Sequence, residues 1–553
     1  RKQTYPAWMQ PADIYESECL GTNAVNFEAN TVLAEMASLL GFSGAAARYR
    51  KVAATIRNGI NTYLWQEGKG YYGQYLYGRG DKILSPRAEA LGSALSVLFN
   101  IADKERQKKI VARMPVTPFG TSCIYPQIPG ISPYHNAAVW PFVESFWAQA
   151  SARAGNEEAA VKAISAVYRP AALFLTNKEN FVSLNGDYAG TQINSDNMLW
   201  SLSGSLSLVY KLLFGMQFSP TSLSFSPFVP EIFKGRRALY NFKYRAAVLD
   251  IELEGFGNVI KSFSIDGKEA VSHSVPTSLE GSHQIKIVLS GSLPPSEGIN
   301  KVAERYSPST PAVTYSRGVL SWNDTNKNII GYKILYNGTL LKETTGKSIK
   351  LASGSLGSYQ VIAVSGDELE SFASEPLPVY ENENTVQLED FNPPSAKPYQ
   401  GFTGSGFVDI SRTRNRKVSF SANINKAGVY KLDVRYANGN GPVNTENKCA
   451  FRALYIDGKR AGTLVFPQRG KEEWSNWGWS NLLEVHLPEG VHNFYLSFED
   501  SNENMNGDVN QAMLDCVRIR GYSETTENSS ASFLFSVSPL RLIATTFPCG
   551  SIR

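Results

Sequence analysis

Hydrophobic residues along the chain follow two different periods. Between about residues 27 and 216 they recur at intervals of three and four, the spacing of a buried helix face. Gly41 is a stop signal after the first stripe, and Ser43 can cap the helix that follows. The pattern predicts helices joined by loops rich in Gly, Pro, Tyr and Asn, at about residues 27–41, 43–64, 86–102, 103–113, 136–154, 156–175 and 197–215.

Near Pro220 the period changes to two, as in half-buried strands. Residues 247–253 alternate apolar and polar side chains, and residues 284–289 repeat the alternation. We therefore expect a small β domain that ends near residue 295. Residues 292–297 contain two prolines and are typical of a linker.

The rest of the chain is also predicted to be β-rich. Residues 305–380 carry short strands at a spacing of about ten residues, and Trp322 lies in one of them. Residues 386–522 form a further block with many turn signals. The tail, residues 523–553, is rich in Ser and Thr and fits no pattern, so it stays unassigned.

Length and composition limit the class of protein. The chain has 553 residues, which at about 150 residues per domain predicts three to four domains. Hydrophobic residues make up 42% and charged residues 19%, which excludes a disordered, collagenous or coiled-coil chain. The net charge of +4 is too small for a basic nucleic-acid-binding face. No apolar run reaches the roughly 18 residues of a membrane span.

The five cysteines are far apart, and none forms a CxxC pair. A zinc site or a dense disulfide framework is therefore not expected. A bond between Cys449 and Cys516 remains an alternative, because sequence does not give their separation.

Three polar and aromatic segments stand out at loop–helix junctions. They are residues 132–141, 177–181 and 193–201. In a barrel of helical hairpins such junctions converge at one end, where Trp, Tyr, His and Asn would hold a sugar ring and carboxylates would cleave a glycosidic bond. The candidate residues are Tyr134, His135, Asn136, Trp140, Glu179, Asn197 and Trp200.

Each candidate also has a structural interpretation. Glu179 could be a solvent-facing loop carboxylate, and Asp187 and Asp196 are its rivals, although Asp196 is better placed to cap a helix. Trp140 and Trp200 have the spacing of core residues, and His135 could simply bond a loop carbonyl. A further set, Arg87 and Glu89, is expected to form a structural ion pair.

The three segments resemble the six-hairpin glycosidases, which are (α/α)6-barrel enzymes. The resemblance rests on the motifs YHNxxVWPF, Glu-Asn-Phe at residues 179–181 and SDNxLWS at residues 195–201. The resemblance is to the branch of glycoside hydrolase family 63, the trehalases and the debranching enzymes, and it covers roughly residues 1–295. It implies the C-terminal part of a helical toroid followed by a β-sandwich cap.

The resemblance also implies a mechanism. Glu179 matches the general base, and the residues from Arg1 to Pro6 resemble those just after the general acid, an Asp. The acid is therefore expected immediately upstream of Arg1, in a catalytic domain cut near its middle. The implied reaction is inverting hydrolysis of α-glycosidic bonds, α-glucosidase-like, with an α-L-rhamnosidase-like activity as the alternative enzyme. Alone, the fragment is expected to be inactive, and its open half-barrel is expected to expose apolar helix faces.

The two last β blocks resemble known accessory domains. Residues 305–381 resemble a fibronectin type III sandwich. Residues 386–522 resemble carbohydrate-binding modules of families 6 and 35, whose structural calcium implies ligands at Glu389 and Asp515. Two strand-end carboxylates without an ion are the alternative.

Sugar contacts in this last block are expected from aromatic and amide side chains. Trp474 and Trp477 are the main candidates for a stacking platform, and alternation along a strand would put Trp477 and Trp479 on one face. Phe407 and Asn510 are further candidates, although the resembled modules usually have Tyr at the position of Phe407.

Together these expectations describe a multidomain glycoside hydrolase that binds oligo- or polysaccharide and uses no catalytic cofactor. We expect part of an all-α (α/α)6 toroid at residues 1–218, a β-sandwich cap at 219–297, and all-β sandwiches at 305–381 and 386–522. The alternative is a non-catalytic carbohydrate-binding protein. The resemblance implies a periplasmic, secreted or cell-surface location, while the oligomeric state stays open.

Overall fold

The computed structural model describes residues 4–441, 448–500 and 509–522. Arg1 and the unassigned tail at 523–553 lie outside the described residues. The described chain divides into two compact units. One unit contains the residues up to Glu18, the stretch Tyr75–Ser85 and the residues from Ser307 onward. The other contains Cys19–Gln74 and Pro86–Tyr306.

The helices of the described residues include one at each of the seven places that the hydrophobic period predicted, together with a short first helix that it did not predict. In the described part of the chain they are α1 Pro11–Tyr15, α2 Leu20–Leu39, α3 Ser43–Gly59, α4 Ala90–Leu98, α5 Lys104–Arg113, α6 Pro141–Arg153, α7 Glu157–Phe174 and α8 Leu199–Ser207. Helices α3 and α8 continue as π-helical turns at Ile60–Leu64 and Leu208–Leu213.

Local side-chain chemistry explains several helix ends. The side chains of Glu89, Asp103 and Asn156 accept hydrogen bonds from backbone amides at the starts of α4, α5 and α7. Gly41, at φ +80°, follows the end of α2, as predicted. Ser43 is the first residue of α3 and makes no side-chain cap.

Within their unit, α2 to α8 form an arc of helical hairpins. Helix α2 packs against α3, α4 against α5, and α6 against α7, while α2, α4, α6 and α8 contact one another in succession. Apolar side chains are exposed at both ends of this arc. They include Val25, Val32, Met36 and Leu39 on α2 and Leu199, Leu202 and Leu206 on α8.

Short strands occur between the helices, so the helical unit is not purely α-helical, although the two strands within Tyr75–Ser85 belong to the other unit. They are β1 Glu18–Cys19, β2 Trp65–Gln66, β3 Tyr71–Tyr72, β4 Tyr75–Tyr77, β5 Ile83–Ser85, β6 Ala88–Glu89, β7 Pro115–Val116, β8 Ile124–Tyr125, β9 Ala138–Val139 and β10 Phe181–Val182. Strand β6 pairs with β8, and β9 pairs with β10.

The same unit ends in the predicted small β domain. Its strands are β11 Met216–Phe218, β12 Ser222–Phe225, β13 Gly235–Tyr244, β14 Ala247–Gly255, β15 Ile260–Ile265, β16 Lys268–Glu269, β17 Ser274–Pro276 and β18 Gly281–Leu289, followed by β19 Asn300–Lys301. One sheet has the order β13-β14-β18-β15-β16 and the other β11-β12-β17. Alternate residues of β14 are buried between the sheets, which is the period of two seen in the sequence.

The other unit contains two β-sandwiches. The first has strands β20 Ala312–Ser316, β21 Val319–Asn323, β22 Ile329–Tyr336, β23 Thr339–Thr344, β24 Ser348–Lys350, β25 Gly357–Ser365 and β26 Leu377–Val379. Its sheets have the orders β20-β21-β24 and β23-β22-β25-β26. Trp322, Tyr332 and Tyr359 are buried between them.

The terminal sandwich contains β27 Asn382–Gln387, β28 Val408–Ile410, β29 Lys417–Ile424, β30 Gly428–Ala437, β31 Ala450–Ile456, β32 Lys459–Phe466, β33 Gly478–Trp479, β34 Leu483–Leu487, β35 Gly490–Ser497 and β36 Ala512–Tyr522. One sheet has the order β27-β36-β30-β33, with β28 on β36 and β34 on β30. The other has the order β29-β35-β31-β32. Phe420, Phe494 and Leu514 lie in the core between the sheets.

The cysteines of the described residues are free thiols, so the bond considered between Cys449 and Cys516 is not formed. Both side chains are buried, and burial raises both thiol pKa values, that of Cys516 to about 11. No helix in the described part of the chain is long and apolar enough to cross a membrane.

Candidate functional site

Three loops of the helical arc meet around Glu179, as the motifs predicted. The backbone amide of Glu179 donates to the carbonyl of Ser195 (3.0 Å) and also lies 3.3 Å from Oδ1 of Asn194. From the opposite side, Tyr134 Oη donates to Glu179 Oε1 over 3.0 Å. The segments at 132–141, 177–181 and 193–201 therefore meet at one residue, Glu179.

The short strands hold two of these loops together. In the β9–β10 pair, Val139 lies opposite Phe181, immediately after the Glu179 loop. The amide of Cys123 donates to the carbonyl of Ala138 over 2.9 Å, which joins β9 to the segment that carries β8. The loops are thus fixed by backbone bonds as well as by the side chains of the site.

Glu179 is not a solvent-facing carboxylate. Its residue surface is 4% exposed, and one carboxylate oxygen is occupied by the tyrosine hydroxyl. Burial, together with the bond to Glu179, raises the pKa of Tyr134 to about 12, so this hydroxyl remains a donor at neutral pH.

An aromatic cluster surrounds the Tyr134–Glu179 pair. The ring of Tyr134 lies 4.4 Å from His135 and 5.0 Å from Trp140, and Trp140 lies 5.8 Å from Trp200. Trp200 also stacks on Phe142 at 5.3 Å. Burial lowers the pKa of His135, which favours the neutral imidazole. The cluster offers hydrogen-bonding and stacking groups next to the carboxylate.

Two of the predicted sugar contacts are buried supports instead. Trp140 is 4% exposed, and its Nε1 donates to the carbonyl of Tyr134 over 2.7 Å. Asn136 is fully buried, donates to the carbonyls of Ile128 and Ile131, and accepts from the amide of Ile128. Neither side chain has surface left for a sugar, so their predicted role is corrected to positioning the loop.

The third loop also differs from expectation. Asp196 does not cap a helix, since α8 begins at Leu199; its carboxylate pairs with Lys178 at 2.5 Å. Asn197 is exposed at φ +55°, and its Oδ1 accepts a long bond from Thr176 Oγ1 at 3.4 Å. Trp200 is 44% exposed and remains available for stacking.

Sequence reasoning missed one buried carboxyl and misjudged another. Glu144 on α6 is fully buried, and burial raises its pKa to about 8, although its Oε1 accepts from the amide of Thr121. Glu89 is half-buried, and burial raises its pKa to about 7 while the amides of Gly92 and Leu91 oppose that shift. We predicted that Glu89 forms an ion pair with Arg87. In the structure its carboxylate instead caps α4, where it accepts hydrogen bonds from the amides of Leu91 and Gly92. A glutamate in the first turn of an apolar helix was the available signal for Glu144.

In the terminal sandwich, the predicted tryptophans lie in an aromatic cluster. Trp474 stacks on Tyr399 with ring centroids 5.6 Å apart, and Trp477 packs edge-on against Phe407 at 5.6 Å. Both tryptophans are half-buried. Phe407 is buried beneath them, which corrects its predicted role from sugar contact to core.

Trp479 is separate from this cluster. Strand β33 covers only Gly478–Trp479, so the predicted alternation does not extend to Trp477. The guanidinium of Arg518 lies 3.6 Å from the centroid of the Trp479 ring and covers it. Asn510 is fully buried, and its Oδ1 accepts from the amide of Phe451 and from Arg452, so the sugar contact predicted for Asn510 has no exposed atom to make it.

The predicted calcium ligands, Glu389 and Asp515, lie on either side of one loop. Glu389 Oε1 accepts from the amides of Ser405 and Gly406, and Asp515 accepts from the amide and hydroxyl of Thr403. The Thr403 hydroxyl also lies 3.2 Å from Oε1 of Gln387. Glu389 and Asp515 are thereby brought to the same loop.

The donor set of this loop fits a hard cation. Among the described residues, the buried Oε2 atom of Glu389 has no hydrogen-bond partner. Two carboxylates and an amide oxygen are the kind of ligands that Ca²⁺ prefers. Arg435 already pairs with Asp515, so part of the negative charge is balanced by the protein. No group of three or more His, Cys, Asp or Glu side chains that could hold a metal occurs among the described residues.

Comparison with known proteins gives partial matches. Residues 3–201 match the family model of the mannosylglycerate hydrolase MGH1-like glycoside hydrolase domain. A cycloisomaltooligosaccharide glucanotransferase of Niallia circulans is 36% identical over 104 residues, and an isomaltosyltransferase of Sporosarcina globispora is 30% identical over 104 residues. Each of these two alignments covers 19% of this chain, but 10% and 9% of the two relatives.

A solved structure, the CBM35 from Cellvibrio japonicus Abf62, is 21% identical and matches 26% of this chain and 95% of that chain, with a TM-score of 0.20. The first part of the chain is thus similar to a glycoside hydrolase domain, and the curated relatives are glycosyl-transferring enzymes. The chain is similar to carbohydrate-active proteins, while the family 63 and fibronectin type III assignments remain predictions.

Proposed function

We propose that this chain belongs to a carbohydrate-active enzyme that acts on α-glycosidic bonds with inversion, and that Glu179 is its general base. The observation that carries the proposal is the buried Glu179 carboxylate, held by Tyr134 inside an aromatic cluster where three loops meet. A carboxylate protected from bulk water beside sugar-stacking rings is the arrangement that glycoside chemistry uses.

In this mechanism the residues of the chain activate water and hold the sugar. Glu179 takes a proton from a water on the ring face opposite the leaving oxygen, while Tyr134 keeps the carboxylate oriented. Trp200, His135 and Asn197 offer stacking and hydrogen-bonding groups to the sugar. We propose that the general acid is an Asp upstream of Arg1. In an inverting site the carboxyl groups of the acid and the base are roughly 6.5–9.5 Å apart.

An α-linked glucan is the substrate class that we propose. Support comes from the names of the relatives, a cycloisomaltooligosaccharide glucanotransferase and an isomaltosyltransferase. Such a polymer favours a periplasmic, secreted or cell-surface location. The same names make transfer to a sugar acceptor the alternative to hydrolysis. An α-L-rhamnoside, which the six-hairpin resemblance implies, is the alternative substrate.

The apolar faces at the two ends of the helical arc fit the same proposal. Residues such as Met36 and Leu39 on α2 and Leu202 on α8 are exposed where the next hairpins of a closed toroid would pack. We propose that further helices cover these faces in the complete catalytic domain.

The decisive experiment compares Glu179→Gln with Asp187→Asn in a chain extended upstream through the proposed acid. Asp187 is a half-buried carboxylate of the neighbouring turn and serves as the matched control. With α-1,6- and α-1,4-linked gluco-oligosaccharides, we expect about a thousandfold loss of kcat for Glu179→Gln and little change for Asp187→Asn. Inversion is read from the anomer first formed, by proton NMR, and transfer from the appearance of longer oligosaccharides. Full activity of Glu179→Gln would overturn the proposal.

A non-catalytic capture role is favoured by a different observation, the Trp474–Tyr399 stack with Trp477 beside it. We propose that this cluster binds sugar in the terminal sandwich. Calorimetric titration of the full chain with isomalto-oligosaccharides tests it. Trp474→Ala should lose most of the binding heat, and Trp65→Ala, which changes a half-buried tryptophan outside the terminal sandwich, should retain it.

We also propose that Gln387, Glu389 and Asp515 hold a structural Ca²⁺ in this sandwich. A bound ion would crosslink the loop at residues 401–406 to β36 and take no part in bond cleavage. Calcium should raise the unfolding temperature of the wild-type chain, EDTA should reverse the effect, and Glu389→Gln should abolish it. An equal shift in wild type and Glu389→Gln would argue against this site.

A further inference from the structure

Two segments from the N-terminal part of the sequence belong to the compact unit of the C-terminal β domains. These segments, residues 4–18 with α1 and the hairpin Tyr75–Ser85 with β4 and β5, pack with the residues after Ser307. More than 200 residues separate them from that part of the chain, so sequence proximity does not explain their position.

The terminal sandwich contacts both segments through polar side chains. Lys431 Nζ lies 3.0 Å from Asp81 Oδ2, and the two side chains are 8% and 19% exposed. Asn481 Nδ2 donates to Glu16 Oε1 over 2.9 Å. Elsewhere on the same sandwich, Arg469 Nη2 donates to Gln10 Oε1 over 3.0 Å. These bonds tie separate strands and loops of the sandwich to the two segments.

Apolar contacts accompany the polar ones. Ala12 is fully buried in a cluster with Phe451 and Val465 of the sandwich, and Tyr15 packs edge-on against Phe451 at 5.7 Å. Gly80, at φ +81°, approaches Leu482 so closely that an added Cβ would lie 2.8 Å from its Cδ2. Glycine at this turn therefore serves both the backbone conformation and the close packing.

The segment that follows β25 in the first sandwich makes the remaining contacts. Trp8 Nε1 donates to the carbonyl of Ala373 over 2.9 Å, and the amide of Ala373 donates to Tyr77 Oη over 2.9 Å. Arg79 bridges Asp13 at 3.0 Å and Glu375 at 2.9 Å. Each of the two segments therefore contacts both sandwiches.

We infer that this surface of the two sandwiches is an intramolecular docking surface for residues 4–18 and 75–85. It combines buried apolar side chains with one largely buried ion pair, Lys431–Asp81, unlike the surface of a module held only by a flexible linker. The C-terminal β domains are thereby a structural support for the segment that leads into α2, in addition to any role in binding sugar. This inference does not depend on the proposed activity.

A cleavable form of the full chain tests the inference. A protease recognition sequence between Ser309 and Thr310, where Ser309 is exposed, separates both segments from both sandwiches after folding. We expect the cleaved halves to elute together in gel filtration, held by the docking surface. Separation of the wild-type halves would overturn the inference.

Variants in the segments themselves make the test specific and leave the sandwich sequence intact. Glu16→Ala combined with Asp81→Ala removes the bonds to Asn481 and Lys431, and about tenfold weaker association of the halves is expected. Glu381→Ala is the control, because its ion pair with Lys426 is exposed and remote in sequence from both segments.

Hydrogen exchange of the uncut chain provides the second readout. In the double variant, peptides that cover residues 4–18 and 75–85 should exchange faster, while peptides from β30 and β36 keep their protection. Equal exchange of the two segments in wild type and variant would count against docking.

Discussion

At the residue scale, the buried carboxyl of Glu144 gives the clearest pH prediction. Its folded-state pKa of about 8 lies above the ordinary 4.5, so the folded state binds more protons and stability falls as pH rises from about 4.5 to about 8. Glu144→Gln keeps an acceptor for the Thr121 amide and removes this cost. We expect the substitution to raise the free energy of unfolding more at pH 9 than at pH 5. The difference between the two pH values should be on the order of a few kcal/mol.

Denaturant unfolding of Glu144→Gln at both pH values measures this effect. Glu105→Gln is the matched control, since its side chain is 79% exposed and pairs with Lys108 on the surface. An equal response of Glu144→Gln at pH 5 and pH 9 would contradict the role of the buried carboxyl.

Two asparagines from the same motif set should respond very differently to substitution. Asn136→Ala removes the partner of the buried amide and carbonyl of Ile128 and of the carbonyl of Ile131, and should cost about 2 kcal/mol or more. Asn197→Gly, which suits the φ of +55°, should change stability by about 0.5 kcal/mol at most. Urea unfolding measures the loss of stability in each variant. Similar losses would contradict the different roles that we assign to the buried and the exposed asparagine.

Sequence motifs therefore predicted which loops meet better than they predicted which side chains are buried. Glu179 and Tyr134 meet as the converging loops predicted. Trp140 and Asn136 have residue types that suit sugar binding, but a motif does not show which side of a loop is buried. Burial is set by neighbours distant in sequence, and in this site it turned both residues into supports.

At the element scale, the same hydrogen-bonded pair of a histidine and an aspartate occurs in two different β domains. His283 Nδ1 lies 2.7 Å from Asp266 Oδ2, and His492 Nδ1 lies 2.6 Å from Asp457 Oδ2. In each case Nε2 faces a backbone carbonyl at 2.8 or 2.9 Å. Because both ring nitrogens face acceptors, the doubly protonated imidazolium satisfies both.

These contacts raise both histidine pKa values, chiefly through the bond to Asp. A raised folded-state pKa stabilises the fold fully below about pH 6.5, and the contribution is lost as pH rises through the folded value. Proton NMR titration should give both imidazoles a pKa above 6.5. Asp266→Asn should lower the pKa of His283, and Asp457→Asn should lower that of His492. An unchanged histidine pKa in either variant would contradict the role of the aspartate.

Helices were predicted well because long apolar stripes report directly on a buried face. The starts of α4 and α6 and the short strands before them were not, since they depend on backbone pairing with distant segments. The alternation expected from Trp477 to Trp479 failed for the same reason, because β33 pairs over two residues only.

At the scale of the whole molecule, the sequence indicated a row of domains but not their mixed composition. Nothing in the period of residues 4–18 or 75–85 reveals that they pack with residues after Ser307. Their partners are single side chains such as Lys431 and Asn481, which have no signature in a local pattern. Long-range pairing of this kind follows only from the three-dimensional fold.

The exposed apolar stripe of α2 leads to the last prediction. Val25, Val32, Met36 and Leu39 follow at intervals of seven, four and three, so they lie on one helix face, and each is at least 42% exposed. A contiguous apolar surface of this kind promotes association in water. We therefore expect this chain to self-associate and to bind a hydrophobic dye.

Met36→Gln with Leu39→Gln should raise the monomer fraction in gel filtration and reduce dye fluorescence, because glutamine preserves helix propensity while breaking the stripe. Ile330→Gln is the control, a 56% exposed residue on a β-sandwich rather than on the helical arc. If the control raised the monomer fraction as much as the α2 variant does, the effect would not be specific to the helix face. If neither variant changed it, the open face of α2 would not be where the molecules meet.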